Sequence, residues 1–331
     1  MLRQLLSVPM LARRLPRNLS RLRSFVTAAS SCHGGTEGTA HHLHVDAKTR
    51  IIYQGEKHTP PAAYASRNRL AHLRSPRLHR TGGKRDVRLD AMDNVAPHVS
   101  AVFVPAPFAA AAIVEAVEAE VPLIVAVAEH VPVHDLLRVH EVLRTQSRSR
   151  LVGPNSPGII APEQCRVGIM PFAQYRRGRV GIVSKSGTLS YEAVGATTAA
   201  GLGQSLVLAV GGDAMPGTSI SDALAVFFAQ PETEGIIVIG EIGGEQELRA
   251  AELIRRYRAS TSHPKPIVAM VAGQTAPRGR TMGHAGAFLS PRDATAKEKA
   301  AALERAGAVI VPHPGVMGVV MKELLATTCA G

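Results

Sequence analysis

The segment best suited to chemistry is Gly279-Arg-Thr-Met-Gly283-His284-Ala-Gly286-Ala287. Small residues surround its imidazole, so ligands can approach closely and the loop can move. A neutral imidazole is a good nucleophile and accepts a phosphoryl group on nitrogen. The plain alternative is one surface histidine among fourteen, and spacing alone does not separate the two.

Three further segments could serve such a histidine. Ser184-Lys185-Ser186-Gly187-Thr188 runs from an apolar stretch into a helical one. The unpaired N–H groups and dipole of a helix start there would hold an anion, with Lys185 beside it. N-capping by Ser186 is the simpler use, and the two are compatible. Glu241 closes the apolar run Gly235–Gly240. A carboxylate there could hold one imidazole nitrogen and leave the other free to attack. Gly153-Pro-Asn155-Ser156-Pro-Gly158 is a rigid loop whose N–H groups could hold a carboxylate or phosphate; alone it reads as a turn. The chain carries no P-loop, zinc-ligand spacing or nucleophile elbow.

The elements that must position these residues alternate from residue 100 on. Short, nearly all-apolar runs predict strands at Ser100–Val104, Leu123–Val127, Val180–Ser184, Ser205–Val210, Gly235–Gly240, Ile267–Val271 and Ala308–Val311. Helical stretches between them are Ala109–Glu120, Val133–Thr145, Leu189–Ala200, Ser219–Ala229, Gln246–Ala259 and Thr295–Ala306. Such alternation predicts α/β architecture with mainly parallel sheets and ligands beyond the strands' carboxyl ends. A break is expected near Pro171–Arg179, between units at 46–172 and 178–327.

The formal charge of +12 is uneven. Residues 1–40 hold six arginines against Glu37, or +5. Residues 41–99 hold eleven Lys/Arg against five Asp/Glu, or +6, so the α/β body carries only +1. A basic excess outside that body, without interleaved aromatics, argues against a nucleic-acid binder. Residues 1–40 alternate arginines with leucines and suit a mitochondrial transit peptide. No apolar run reaches the ~18–20 residues of a membrane span. Three scattered cysteines imply neither disulfides nor a metal centre.

Taken in order, the blocks VFVPAPF (102–108), GPNSPG (153–158), VGIVSKSGTLSYEAV (180–194), GLGQS (201–205), VGGDAMPGT (210–218), EGIIVIGEIGG (234–244) and GRTMGHAGA (279–287) resemble the alpha subunits of succinyl-CoA ligases. The resemblance implies a Rossmann-like CoA-binding domain followed by a flavodoxin-like ligase domain. It implies a beta partner of ATP-grasp fold that binds ATP or GTP with Mg²⁺, and a mitochondrial matrix location. The reaction implied passes phosphate from the nucleotide to His284, then to succinate or a similar dicarboxylate, before CoA displaces it. On this resemblance Glu241 supports the histidine, Ser186 and Gly187 cradle phosphate, and Tyr191 lies on the substrate side. Pro105, Val127, Ala128 and Glu129 fall where CoA is contacted, and Lys84 takes the place of a CoA-binding lysine.

The chain also departs from the family. After Ile51-Ile-Tyr-Gln-Gly55 the family has a Gly-rich loop, where this chain reads Glu56-Lys-His-Thr-Pro60-Pro61. A proline has no N–H to offer a pyrophosphate. Residues 56–99 thus stand open as a diverged CoA site, a lost one or a shifted reading frame. The family's Gly after the CoA-contacting Glu is His130 here, and the Cys of its GPNCPG loop is Ser156. These changes leave room for a paralogue serving another dicarboxylic acid, or for a non-catalytic partner of a beta subunit.

Overall fold

The computed structural model describes residues 37–55, 92 and 95–328. Residues 1–36 of the expected leader, most of the segment 56–99, and Lys84 lie outside the described residues.

Two sheets organise the chain. The first has four parallel strands in the order β1 (Ile51–Gly55), β2 (Val99–Phe103), β3 (Leu123–Ala126) and β4 (Arg150–Val152). Helices α1 (Ala106–Glu118) and α2 (Val133–Arg144) follow β2 and β3. Helix α1 begins three residues before its apolar pattern suggests. Pro107 lies in its first turn, where a missing N–H costs nothing because no intrahelical partner exists.

The second sheet holds β5 (Gly158–Ala161), β6 (Cys165–Gly168), β7 (Arg177–Ser184), β8 (Gln204–Ala209), β9 (Gly235–Glu241), β10 (Ile267–Ala272) and β11 (Val309–Ile310). Its spatial order is β11-β10-β9-β7-β8-β5-β6. The strands β7 to β11 are parallel. Counted from β7, they run 2-1-3-4-5, the flavodoxin arrangement. Helices α3 (Gly187–Ala199), α4 (Ile220–Ala229), α5 (Gln246–Ser260), α6 (Ala296–Arg305) and α7 (Met317–Thr328) complete this unit. The mainly parallel α/β architecture therefore agrees with the expectation from sequence.

Two differences have physical causes. The hairpin β5–β6 pairs antiparallel with β8, so the sheets divide within Gly153–Pro157, ahead of the break expected near Pro171–Arg179. Strands this short, one of them carrying Arg166, lack the continuous apolar run that marks the others. Helix α7 was not expected, although Met317, Met321 and Leu325 recur every four residues and are buried.

Alternate residues of β9 face opposite layers: Ile236 and Val238 join Phe227 and Ala250, while Ile237 and Ile239 join Val194 and Met321. The first of these cores continues into Val99, Leu123 and Val152 of the other sheet, so one apolar body unites both halves. Arg150, fully buried on β4, adds an ion pair to Asp222 of α4 at 3.2 Å.

Candidate active site

In an open α/β sheet the crevice opens where neighbouring strands send their connections in opposite directions. Here that point lies between β7 and β9, since β8 flanks β7 on the other side. Glu241 is the last residue of β9, and Lys185 follows β7, its N–H bonded to Ile239 O at 3.0 Å.

His284 arrives from the long connection between β10 and α6. That connection folds into a small hairpin, with Met282 N–H bonded to Ala287 O (2.9 Å) and Thr281 bridged to Phe288. Gly283 takes a positive φ of 83° at the turn. The hairpin docks through Gly286 N–H on Gly212 O (3.0 Å), just beyond β8, and the His284 ring lies against Gly212. A side chain at Gly212 would occupy the ring's space, and one at Gly243 would collide with Gly286 O. Glycine at these two positions is therefore what lets the loop reach the sheet.

His284 Nδ1 stands 2.8 Å from Glu241 Oε2. A carboxylate can only accept, so Nδ1 carries a hydrogen, and in the neutral ring Nε2 keeps its lone pair. The hydrogen bond to Glu241 raises the imidazole pKa above its ordinary value, against the opposing effect of burial. Glu129 raises it further from a distance, and Lys185 lowers it.

The helix start at α3 is capped as anticipated: Ser186 Oγ accepts from Leu189 N–H at 3.4 Å. The first amides of the helix, at Gly187 and Thr188, are those a helix leaves without internal partners. Lys185 does not join them. Its Nζ turns inward, 3.6 Å from Glu241 Oε1 and 3.6 Å from Glu247 Oε1. Tyr191 is half-buried against the core beneath α3, where burial raises its phenol pKa. Among the described residues no hydrogen bond or ion pair joins Tyr191 to His284.

Pro105, Val127, Ala128 and Glu129 come together beyond β2 and β3, lining one cleft of about 370 Å³ with Phe103, Val104 and Ala106. Its lining mixes hydrocarbon side chains with exposed backbone polar groups, and Glu129 is its ionisable group. His130, beside it, has φ of 63°, a left-handed conformation that favours glycine and that histidine tolerates better than most residues.

Asn155 ties this cleft to the histidine. Its N–H donates to Ala128 O (2.8 Å), and its own carbonyl accepts from Gly212 N–H (3.2 Å). Ser156 secures the loop, donating to Ala209 O (2.5 Å) and accepting from Gly158 N–H (2.9 Å).

Sequence reasoning missed Lys299 and Glu247, both fully buried and both bonded around Glu241. The signal available was a charge at a helix position facing the core: Lys299 falls in register with Leu303 and Ala296 on α6. Among the described residues no cluster of His, Cys, Asp and Glu could hold a metal ion, and no helix is long and apolar enough to cross a membrane.

Comparison with known proteins agrees with this geometry. Residues 183–309 match the CoA-ligase family and residues 86–130 the CoA binding domain. The mitochondrial alpha-2 subunit of an ADP-forming succinate–CoA ligase from Trichomonas vaginalis is 50% identical over 222 residues, covering 67% of this chain and 71% of that protein. The Aquifex aeolicus alpha subunit is 45% identical over 237 residues, covering 71% and 76%. Among solved structures, ATP citrate lyase from Methanothrix soehngenii, in complex with citrate and coenzyme A, superposes with a TM-score of 0.64 at 25% identity. That match covers 74% of this chain but only 40% of the lyase, so the chain spans less than half of that larger protein. With half of its aligned residues shared with the Trichomonas vaginalis alpha subunit over 71% of that protein, this chain belongs to the succinate–CoA ligase alpha-subunit family.

Proposed function

We propose that this chain is the phosphoryl-carrying alpha subunit of a succinate–CoA ligase, working in the mitochondrial matrix with an ATP-grasp beta subunit that binds nucleotide and Mg²⁺. The observation that carries this reading is the 2.8 Å bond between His284 Nδ1 and Glu241 Oε2, which leaves Nε2 as the free nucleophile.

The roles follow from that bond. Nε2 attacks the terminal phosphorus of the nucleotide, and an N–P bond forms as the P–O bond to the departing diphosphate breaks. Positive charge developing on the ring is met by Glu241 through Nδ1–H. The amides opening α3 at Gly187 and Thr188, with the helix dipole behind them, suit the transferred phosphate. A carboxylate oxygen of succinate then attacks the same phosphorus. An acyl phosphate forms, and the electron pair of the breaking N–P bond returns to Nε2. Coenzyme A, when bound, supplies the thiol that takes up the acyl group as phosphate leaves. Pro105, Val127, Ala128 and Glu129 border the cleft that receives it, and the Asn155 loop holds that cleft beside the histidine. The arginine-rich leader and the mitochondrial relative from Trichomonas vaginalis support the matrix assignment.

The test is direct. The full chain, combined with a beta subunit and γ-³²P-labelled ATP or GTP, takes up acid-labile label on His284 and releases it when succinate and CoA are added. His284→Asn takes up none. A stable complex whose wild-type chain stays unlabelled overturns the reading.

A further inference from the structure

Behind the His284–Glu241 pair lies a buried charge cluster that the reaction above does not use. Lys299 of α6 and Glu247 of α5 are both fully buried, and Lys185 and Glu241 are 5% exposed. Lys299 Nζ donates to Glu241 O (2.9 Å), Gly243 O (2.8 Å) and Glu247 Oε2 (2.5 Å), so its three hydrogens have three acceptors. Glu247 Oε1 accepts from Glu241 N–H at 3.1 Å. Lys185 Nζ adds a bond to Gly243 O at 3.4 Å and lies 3.6 Å from one oxygen of each carboxylate. Both main-chain groups of Glu241 are thus gripped, one by each member of the buried ion pair.

Stability alone is a poor reason for such a cluster. A buried ion pair is often no better than well-packed apolar side chains of the same volume. Glu247 also sits in the first turn of α5, where an acid suits the helix dipole. That accounts for one acid at a helix start and leaves Lys299 unexplained. What the pair does accomplish is geometric: it fixes the N–H and C=O from which the Glu241 side chain springs, Lys185 stands 3.6 Å from Oε1, and Oε2 meets His284 Nδ1.

We propose that Lys299 and Glu247 are positioning residues for the phosphorylated histidine. By clamping the main chain of Glu241 they hold the ring in one tautomer, hydrogen on Nδ1 and lone pair on Nε2. The role rests on the ligase function proposed above, but its physical consequence, a fixed tautomer, is measurable without turnover.

The experiment uses the full chain with ¹⁵N-labelled histidine, the His284 ring signals being assigned by their loss in His284→Asn. Wild type shows the Nδ1–H tautomer and titrates above the ordinary imidazole value. The double variant Lys299→Met/Glu247→Met removes both charges together, so neither member of the pair is left as an unpaired buried ion, and it takes away both hydrogen bonds to the Glu241 main chain. It shows mixed tautomers, a lower titration midpoint and label uptake reduced by about 10–100-fold, the usual effect of losing a supporting partner behind an active group. Phe227→Leu, a distant core change, leaves the ring titration unmoved although it lowers stability. A double variant that keeps one tautomer, the wild-type midpoint and wild-type labelling overturns the proposal. Should wild type take up no label while the ring still responds to the double variant, the ligase function fails and the positioning role stands.

Discussion

Replacing Gly212 by alanine tests the placement of the histidine most sharply. A Cβ at this position would stand 2.5 Å from His284 Nδ1 and 2.8 Å from Cδ2, whereas ordinary contacts begin at 3.4 Å. Gly212 is not among the residues with positive φ, so alanine is admissible to the backbone and the ring must give way. It has somewhere to go, since its side chain is 28% exposed. A retreat of about 1 Å would stretch the bond to Glu241 from 2.8 Å beyond hydrogen-bonding range. Misplacement on that scale costs about 100-fold in a transfer step, or about 2.7 kcal/mol of barrier. Global stability should fall by less than this, about 1 kcal/mol, because the displaced ring is partly in water while Glu241 loses one hydrogen bond. The assay is the rate of ³²P uptake by the full chain with a beta subunit, alongside urea denaturation. Uptake within about 3-fold of wild type, or equal losses of uptake and stability, would refute the placement of the ring against Gly212 as a functional contact.

The same bond predicts a pH dependence. Because Glu241 raises the pKa of His284, the neutral nucleophile is lost earlier on acidification, and uptake should fall with a midpoint above 6.5; Glu241→Gln should move that midpoint down. The stability contributed by the pair has the opposite sense: it is fully present below the unfolded imidazole value and is lost as pH rises through the raised one, which thermal melts across that range would show. Phe227→Ala, fully buried between the sheet and α4, should cost about 3–5 kcal/mol in urea denaturation. Ser156→Ala strips partners from Gly158 N–H and Ala209 O and should cost about 1–3 kcal/mol by the same measurement.

Much of this was legible before any coordinates. Strands such as Gly235–Glu241 read clearly because helices cover both faces and every residue is buried; burial on both sides leaves no polar alternation to confuse them. Glu241 and the α3 helix start follow from residue type and from their place at strand ends, whereas His284 stands out from the other histidines only through the family resemblance of its loop. The residues less easily read follow another pattern. Strand β4 begins with Arg150, buried with partners from distant segments, Asp222 at 3.2 Å and Thr39 at 3.0 Å, and no local window contains them. Lys299 and Glu247 are 52 residues apart, and each alone looks like an ordinary charge on an amphipathic helix. Lys185 illustrates the same limit. Its position beside a helix start suggested an anion ligand, but its direction was decided by two carboxylates from β9 and α5. Pairings made across the fold cannot be read from one stretch of chain.

The contacts running from Ala128 through Asn155 and Gly212 to Gly286 are made entirely by peptide groups. A linkage of that kind needs its glycines, because a Cβ at Gly212 or Gly286 would meet atoms under 3.0 Å away, but it asks nothing of the side chains around it. The spacing between the cleft beyond β2 and β3 and the His284 hairpin is therefore set by the backbone path through Asn155 and Gly212. Side chains outside those glycines can change one at a time without moving the hairpin away from the cleft.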